Sequence, residues 1–269
     1  MAKIIAVCNQ KGGVGKTTTA VNLAACLAAA ERRTLIVDMD SQSNATMGVG
    51  VEKNDLDLSM YDVITERTLD GNPIGIRDIR VPTGFREFCR NGVDFLHIAP
   101  ATPDLAGAEV ELINEMAREK KLRSALKPVE GEYDYIIIDS PPSLGLLTLN
   151  VLTAATSVLI PIQSEYYSLE GLAELTHTIH LVQKNLNPQL EIEGALLTMY
   201  DGRLNLSREV AADVRSCFSG RVFNVMIARN TKLGESPSFG KPIILYDIMS
   251  PGARNYLELA KEVMQNEQQ

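Results

Sequence analysis

The chain has 269 residues, 45% of them hydrophobic, which is enough to bury one large core, and we expect one domain over residues 1–269. The net charge of −8 argues against wholesale coating of nucleic acid, although it leaves room for a local basic patch. Because no apolar run reaches the length of a membrane span and no leader sequence opens the chain, we expect a cytoplasmic protein without a membrane partner.

The first predicted elements are a buried strand, a glycine-rich loop and a helix. Ile4 to Cys8 is apolar, residues 9–18 read N-Q-K-G-G-V-G-K-T-T, and an alanine- and leucine-rich segment runs from Thr19 to Ala30. In this context a glycine loop binds phosphate, because backbone N–H groups and the helix N-terminus surround the oxygens. We expect Lys16 to reach the β- and γ-phosphates and Thr17 to ligate Mg²⁺. The other predicted nucleotide-binding residues here are Gly12, Gly13, Val14, Gly15 and Thr18.

The loop departs from the strict pattern G-x-x-x-x-G-K-[ST] at Gln10 and carries a second lysine, Lys11. The run K-G-G-V-G-K-T-T resembles the deviant Walker A motif of the ParA/Soj/MinD superfamily of P-loop ATPases. The resemblance implies that Lys11 binds the nucleotide of a second subunit, so that ATP closes a homodimer. A cation supplied across a two-fold axis would stabilise negative charge on the nucleotide, as an arginine finger does. We therefore expect Lys11 and Lys16 to act in catalysis.

A second buried strand is predicted from Thr34 to Asp38, and it delivers a polar segment to the carboxyl edge of the sheet. The segment D-M-D-S-Q-S-N-A-T over residues 38–46 resembles switch I of the same superfamily. The resemblance implies that Asp40 orients the attacking water as a catalytic residue and that Asp38 hydrogen-bonds within the outer shell of the metal. A helix N-cap is the alternative role for either aspartate.

The middle of the chain has weaker secondary-structure patterns, and a second nucleotide-binding motif follows it. Apolar positions at helical spacing predict one long amphipathic helix from Pro103 to Leu126. The apolar run from Tyr133 then ends in Asp139, followed by Ser-Pro-Pro. This is the Walker B arrangement, in which the carboxylate at the end of the strand meets Mg²⁺ through water. The D-x-P-P sequence resembles switch II of the superfamily.

The last third of the chain alternates strand and helix signals again. Strands are predicted over Ser157 to Ile162, Ile192 to Tyr200 and Val222 to Ile227. The segment after the third strand resembles the superfamily pattern I-P-R-N-x-x-L-S-E-A-P-S-x-G-K-P. The resemblance implies adenine contacts at Asn230 and at Ala228, where the pattern has proline.

The alternation of strands and helices predicts an α/β fold, a mostly parallel twisted sheet with helices on both faces, as in P-loop NTPases. Within the superfamily, the resemblance is strongest to the partition ATPases ParA and Soj. It implies that ATP and Mg²⁺ close a dimer, that the dimer binds DNA without sequence preference on the nucleoid, and that a ParB-type DNA-binding partner stimulates hydrolysis. Basic residues at the positions of Arg203 and Lys232 bind DNA in that family. Solvated loop charges without a function are the alternative.

Other functions share this fold. A MinD-like membrane ATPase would end in a basic amphipathic helix, whereas the tail after Leu257 carries Lys261 against several glutamates. A nitrogenase-iron-protein-like reductase would need paired cysteines to hold a cluster, and Ser140 occupies one plausible place. The non-enzymatic alternative is a nucleotide-gated scaffold that positions another cargo on the nucleoid, and only the partner separates it from a partition ATPase.

Overall fold

The computed structural model describes residues 1–165 and 168–266. Within them the strands are β1 (Lys3–Val7), β2 (Thr34–Asp38), β3 (Thr68–Leu69), β4 (Asn72–Pro73), β5 (Val81–Pro82), β6 (Cys89–Arg90), β7 (Val93–Asp94), β8 (Leu96–Ala99), β9 (Tyr135–Asp139), β10 (Ser157–Gln163) and β11 (Glu191–Thr198). The α-helices are α1 (Lys16–Ala29), α2 (Asn44–Gly48), α3 (Met60–Ile64), α4 (Ile76–Ile79), α5 (Leu105–Glu111), α6 (Lys121–Leu126), α7 (Leu146–Ala154), α8 (Ser168–Asn185), α9 (Asn205–Cys217), α10 (Thr231–Glu235), α11 (Ile243–Tyr246) and α12 (Pro251–Gln265). Short 3₁₀ helices include Leu112–Asn114, Arg118–Lys120 and Ser236–Phe239.

Seven strands form the central sheet in the order β11-β10-β1-β9-β2-β8-β5. Neighbouring strands are parallel except at the edge, where β5 runs antiparallel to β8. Successive side chains of β1 enter two separate cores, Ile4 and Ala6 on one face and Ile5 and Val7 on the other. This burial on both faces explains why the strands read as continuous apolar runs. The predicted mostly parallel α/β sheet is confirmed.

Helices cover both faces of the sheet. On one face α1 packs against α12, which buries Tyr256, Leu259 and Val263. On the other face, α7 packs against α6 and α8, and Val151 and Leu175 lie in the same core. No helix in the described part of the chain has both the length and the apolar character that crossing a bilayer requires.

The prediction of one helix from Pro103 to Leu126 is wrong. The helical structure is interrupted between α5 and α6, where Glu115 is extended and Ala117 has a φ of 52° in the left-handed region. Leu105, Leu112 and Leu122 are buried as the periodicity predicts, but they belong to separate pieces. The helical spacing of apolar residues therefore predicted correctly which side chains are buried. It did not predict that the helix is interrupted.

The predicted strand from Val222 to Ile227 is also only partly regular. The segment lies alongside β11 with isolated bridges, Val222 to Ala195 and Ala228 to Tyr200. The Phe223 N–H donates to the Ala195 carbonyl at 2.9 Å, so the backbone is paired without forming a continuous strand.

The strand register sets the place of the functional site. Val7 and Asp38 both pair with Asp139, so β1, β9 and β2 end side by side. The loop after β1 and the polar segments after β2 and β9 consequently meet at one carboxyl edge. This is the edge where open α/β sheets bind ligands.

Candidate functional site

The loop between β1 and α1 curls over the N-terminus of α1. Gly13 and Gly15 have φ values of +73° and +88°, in the left-handed region that favours glycine. A Cβ built on Gly12 would meet no atom within 4 Å, so this part of the loop is open. An open glycine loop at a helix start presents backbone N–H groups to an anion, which is how such loops bind phosphate.

Two side chains hold this loop in place, Asn9 just after β1 and Thr198 at the end of β11. Asn9 accepts a hydrogen bond from the Lys11 N–H at 2.9 Å and donates to the Pro161 carbonyl at 2.6 Å. The Thr198 hydroxyl donates to the Val14 carbonyl at 2.8 Å. The sequence did not assign a role to Asn9 or Thr198, because Asn9 lies far along the chain from Pro161 on β10 and Thr198 lies far along the chain from Val14.

The two lysines of the loop lie in different environments. Lys16 is buried, and its Nζ donates to the Lys11 carbonyl at 3.1 Å, across the loop. Burial lowers the pKa of Lys16, while the nearby Asp139 opposes that shift. The Lys11 Nζ lies 3.5 Å from Glu165 Oε2, and Arg229 lies 4.0 Å from the other oxygen of that carboxylate. In the single chain, Lys11 is therefore paired at the surface.

Asp139 is the most unusual polar group of the site. Both of its carboxylate oxygens are buried without a hydrogen-bond partner in the described residues. Burial and then the negative charge of Asp38 raise the pKa of Asp139 well above its usual range, and the nearby Thr17 hydroxyl opposes this shift. An unpartnered buried carboxylate is costly, and a divalent cation with its water shell would satisfy both oxygens. The orphaned oxygens of Asp139 therefore fit a metal.

No group of three or more His, Cys, Asp or Glu side chains that could hold a metal occurs within the described ranges. Mg²⁺ is commonly bound through one or two protein groups together with substrate phosphates, so the sparse donor set fits this ion.

Asp38 organises the segment that follows β2. Its Oδ2 accepts the Thr46 N–H at 2.9 Å and the Thr46 hydroxyl at 2.7 Å, and its Oδ1 accepts the Asp40 N–H at 3.1 Å. Thr46 lies in the first turn of α2, so Asp38 satisfies a helix-start amide although Ser43 is the N-cap residue. Burial raises the pKa of Asp38 to about 6 despite these hydrogen bonds. Its predicted role near the metal stays a prediction.

Asp40 lies at the same edge, and its Oδ1 accepts the Gln42 N–H at 2.9 Å. Its side chain is mostly buried, and the second carboxylate oxygen makes no protein hydrogen bond in the described ranges. Asp40 is thus placed to hold a polar ligand, and its predicted role with the attacking water is untested.

Two cavities adjoin Thr18. The larger, of ≈ 780 Å³, extends between α2 and the 3₁₀ helix at Ser236–Phe239 and reaches Thr17 and Lys241. The smaller, of ≈ 200 Å³, is lined by Gly15, Thr198, Ala228 and Asn230 among others. The structure thus brings the two predicted adenine-contacting residues to the loop.

Asn230, like Asp139, has a buried polar atom without a hydrogen-bond partner in the described residues. Its Oδ1 accepts the Lys232 N–H at 2.9 Å, whereas its Nδ2 is buried without a partner in the described part of the chain. A free amide donor beside a cavity suits a ring nitrogen of a base, which accepts hydrogen bonds. Ala228 has no polar side chain, and its N–H donates to Asn255 Oδ1 at 3.1 Å.

The two predicted DNA-binding cations are each paired with a neighbouring carboxylate. The Arg203 Nη2 lies 2.7 Å from Asp201 Oδ2, and the arginine side chain is 88% exposed. Hydrogen bonds from Arg203 lower the pKa of Asp201 to about 2. The Lys232 Nζ lies 3.2 Å from Glu235 Oε2 and 5.5 Å from the centre of the Tyr246 ring. The structure does not bring Arg203 and Lys232 into contact with each other.

Comparison with known proteins gives consistent matches. The family model described as an AAA domain matches residues 2–192. The chain is 55% identical over 267 residues to the chromosome partitioning protein ParA of Myxococcus xanthus, covering 99% of this chain and 89% of that protein. It is 54% identical over 266 residues to the sporulation initiation inhibitor protein Soj of Bacillus subtilis, covering 99% of this chain and 100% of that protein. Among solved structures, the crystal structure of cobyrinic acid a,c-diamide synthase from Mycobacterium smegmatis with bound ADP and magnesium aligns with a TM-score of 0.84 at 35% identity, covering 100% and 96% of the two chains.

Proposed function

Because the chain belongs to the ParA/Soj family of chromosome-partitioning P-loop ATPases, we propose that it moves or positions DNA through a cycle of ATP binding and hydrolysis. The protein is an ATPase, its substrate is ATP and its cofactor is Mg²⁺. We propose that residues 1–269 form one ATPase domain.

The observation that carries this proposal is the meeting of three features at one edge of the sheet. An open glycine loop, the buried Lys16 and the unpartnered carboxylate of Asp139 lie together at the ends of β1 and β9. The loop N–H groups and Lys16 bind the phosphates, and Thr17 with Asp139 holds the metal. Mg²⁺, when bound, neutralises charge on the phosphate oxygens. Asp40 orients the attacking water, and Asp38 keeps the switch segment in place through Thr46.

We propose that the active form is a homodimer in which Lys11 reaches the nucleotide of the partner. Support comes from the partly exposed side chain of Lys11 and from the open space at Gly12, where a Cβ would meet no atom of the chain within 4 Å. A Gly12→Val protein that still binds ATP but fails to dimerise would therefore report a clash between subunits.

We further propose that the dimer binds DNA without sequence preference through Arg203 and Lys232, and that a ParB-type protein stimulates hydrolysis on the nucleoid. A membrane role is not favoured, because α12 buries its apolar side chains, among them Tyr256, Leu259 and Val263, in the core. The scaffold alternative shares the same motifs, and identification of the partner separates the two.

The test compares Lys11→Ala with Lys16→Ala. Lys16→Ala should weaken ATP binding by about tenfold or more, because it removes a charge-assisted contact to phosphate. Lys11→Ala should bind ATP with little change but fail to form ATP-dependent dimers in sedimentation, since its contact exists only across the interface. Lys127→Ala removes an exposed lysine elsewhere and should behave as the parent. Normal dimerisation of Lys11→Ala with a non-hydrolysable ATP analogue would refute the role in trans.

Hydrolysis is tested separately with Asp40→Ala. This variant should bind ATP and dimerise while its turnover falls by about 100-fold or more, because water positioning is lost and the phosphate contacts remain. An Asp40→Ala protein that turns ATP over at the parental rate would remove Asp40 from the mechanism.

A further inference from the structure

Residues 222–230 include both predicted adenine contacts, and the sheet supplies backbone partners on only one side of them. The N–H groups of Phe223 and Ile227 donate to the carbonyls of Ala195 and Leu197 on β11, each at 2.9 Å. In the described part of the chain, no strand lies on the other side of this segment. A segment at the edge of a sheet has N–H groups that the sheet does not satisfy. Other parts of the molecule have to supply their acceptors.

Two side chains of α12 supply these acceptors. Glu262 accepts the N–H groups of Asn224 and Val225, at 3.1 and 2.8 Å. Asn255 Oδ1 accepts the Ala228 N–H at 3.1 Å. Ala228 lines the smaller cavity, whereas Asn255 does not, so Asn255 can affect a bound base only through Ala228.

The residue after Asn255 connects α12 to α1. Tyr256 lines the smaller cavity and is buried. Its hydroxyl lies 3.1 Å from the hydroxyl of Thr19, which is also buried and belongs to α1. α1 begins at Lys16, whose side chain is predicted to bind phosphate. Asn255 and Tyr256 therefore link the segment beside the base to the helix beside the phosphates.

Gly252 brings the same side of α12 close to α10. Gly252, Asn255 and Tyr256 have helical spacing, so they lie on one side of the helix. A Cβ built on Gly252 would lie 2.8 Å from the Leu233 Cγ, and Leu233 lines the smaller cavity. This side of α12 thus contacts α10, α1 and the backbone of Ala228. We call Gly252, Asn255 and Tyr256 the α12 face.

We propose that the α12 face positions the base-binding residues relative to the phosphate-binding loop, and that Asn255 is the positioning residue for Ala228. The base of ATP has to meet Asn230 while the loop holds its phosphates, so the separation of the two places matters. A segment that is already held in place needs no ordering when the base binds, and less binding free energy is lost. This inference rests on the proposed function, because it takes the adenine contacts at Ala228 and Asn230 as its premise.

The binding test compares ATP with inorganic tripolyphosphate, which has no base. Each is titrated into the full chain with Mg²⁺ in a calorimeter. Asn255→Ala leaves the Ala228 N–H without its acceptor, so the affinity for ATP should fall by about threefold to tenfold. The affinity for tripolyphosphate should stay at the parental value, because the loop and Lys16 are unchanged. Asn255→Asp keeps an acceptor oxygen at this place and should bind ATP as the parent does.

Asn187→Ala is the matched control. Asn187 is buried, and it donates to the carbonyls of Leu152 and Ala155 at 3.1 and 2.7 Å. It lines neither of the two cavities that adjoin Thr18. Asn187→Ala should lower the midpoint of chemical denaturation and leave the ratio of the two affinities unchanged. An equal fall of this ratio in Asn187→Ala and Asn255→Ala would show a general loss of stability and refute the positioning role.

Gly252→Ala tests the α12 face without removing a hydrogen bond. Alanine favours the helical conformation more than glycine does, so α12 itself should not be weakened. The added methyl group would displace Leu233 in the wall of the cavity, and the affinity for ATP should fall while that for tripolyphosphate does not. Parental affinity of Gly252→Ala for ATP would remove Gly252 from the α12 face. Parental affinity of Asn255→Ala would overturn the proposal as a whole.

Steady-state turnover separates positioning from catalysis. Asn255→Ala should raise KM for ATP by about the same factor as it weakens binding and leave kcat at the parental value, because the contacts to the reacting phosphate are unchanged. A lower kcat with an unchanged KM would contradict the proposal.

Asn230→Asp tests the premise. This change keeps the oxygen that accepts the Lys232 N–H and removes the buried Nδ2 donor. A lower affinity for ATP in Asn230→Asp, with parental affinity in Asn255→Ala, would refute the positioning role alone. Parental affinity in both variants would place the base elsewhere and refute the adenine contacts as well. ATP binding by the parent protein, which the proposed function requires, is measured in the same titrations.

Discussion

Two aspartates that end neighbouring strands show what decides the role of a single residue. Asp38 and Asp139 pair in register and are both buried. Asp38 accepts three hydrogen bonds from its own switch segment, whereas Asp139 accepts none in the described residues. The sequence could place both at the sheet edge, because each follows an apolar run. The sequence could not show that Asp38 is held by hydrogen bonds while Asp139 stays available for a metal. This difference depends on donors such as Thr46, whose positions are set by the fold.

We expect this difference to appear in stability measurements. Asp139→Asn should leave the metal-free protein at least as stable as the parent, because no protein hydrogen bond is lost and burying an amide costs less than burying a charge. It should also lose the added thermal stability that Mg²⁺ and ATP give the parent. Asp38→Asn should unfold more easily with or without ligand, by about 1–3 kcal/mol, since an amide cannot accept all three hydrogen bonds. The reverse order in calorimetry would contradict this assignment.

A second prediction for a single residue follows from the ion pair between Lys11 and Glu165. If Lys11 leaves its own chain on dimerisation, the contact with Glu165 must break. Because a symmetric dimer breaks two such pairs and each exposed pair contributes at most about 1 kcal/mol, Glu165→Gln should tighten ATP-dependent dimerisation by up to about 30-fold. Glu258→Gln makes the same charge change at another exposed position and serves as the control in analytical ultracentrifugation. Weaker dimers in Glu165→Gln alone would mean that this carboxylate serves the interface itself.

At the scale of elements, the sequence predicted what each strand and helix buries better than where each one ends. Continuous apolar runs identified β1, β2, β9 and β10, because strands buried on both faces need no polar positions. The interruption after α5 depends on the backbone of Ala117 and on contacts of Arg118 and Leu122 with Asn150, which periodicity does not contain. The strand predicted after Arg221 is not continuous in the structure, because only isolated positions of this segment pair with residues of β11 or the residues after it.

A contact between two glycines fixes one wall of the larger cavity. Gly240 has a φ of +59°, and a Cβ on it would lie 2.8 Å from the Gly50 Cα, so the 3₁₀ helix at Ser236–Phe239 packs directly on the end of α2. Gly240→Ala should destabilise the protein by more than Gly84→Ala. Gly84 has a similar φ of +72° but open space around its Cβ position. The control should cost only about 1 kcal/mol of backbone strain. Equal losses in chemical denaturation would show that the close approach adds nothing.

For the whole molecule, charge is the difficulty that a DNA-binding function must overcome. The chain carries a net charge of −8, and dimerisation doubles it. The two predicted DNA-binding cations are moreover neutralised within the chain, Arg203 by Asp201 and Lys232 by Glu235. Phosphate contacts by these residues would have to compete with carboxylates already in place. Local pairing, rather than net charge alone, then sets the affinity for DNA.

This competition gives a prediction with a matched control. Asp201→Asn should tighten binding of the ATP-bound protein to DNA of any sequence, because Arg203 loses its carboxylate and becomes free for phosphate. Asp70→Asn makes the same change of charge on an exposed turn with a φ of 51°, which asparagine tolerates. If net charge alone mattered, both variants would bind equally.

If Arg203 binds phosphate, only Asp201→Asn should also steepen the plot of log K against log salt, by up to about 1.8 for two newly freed arginines in a dimer. Arg203→Ala should weaken binding in either background while ATP-dependent dimers persist. Equal affinity and equal salt slopes for Asp201→Asn and Asp70→Asn would remove Arg203 from the DNA-binding surface. The exposed Arg254 at the start of α12 would then be the next residue to test, because it has no ion pair in the described part of the chain.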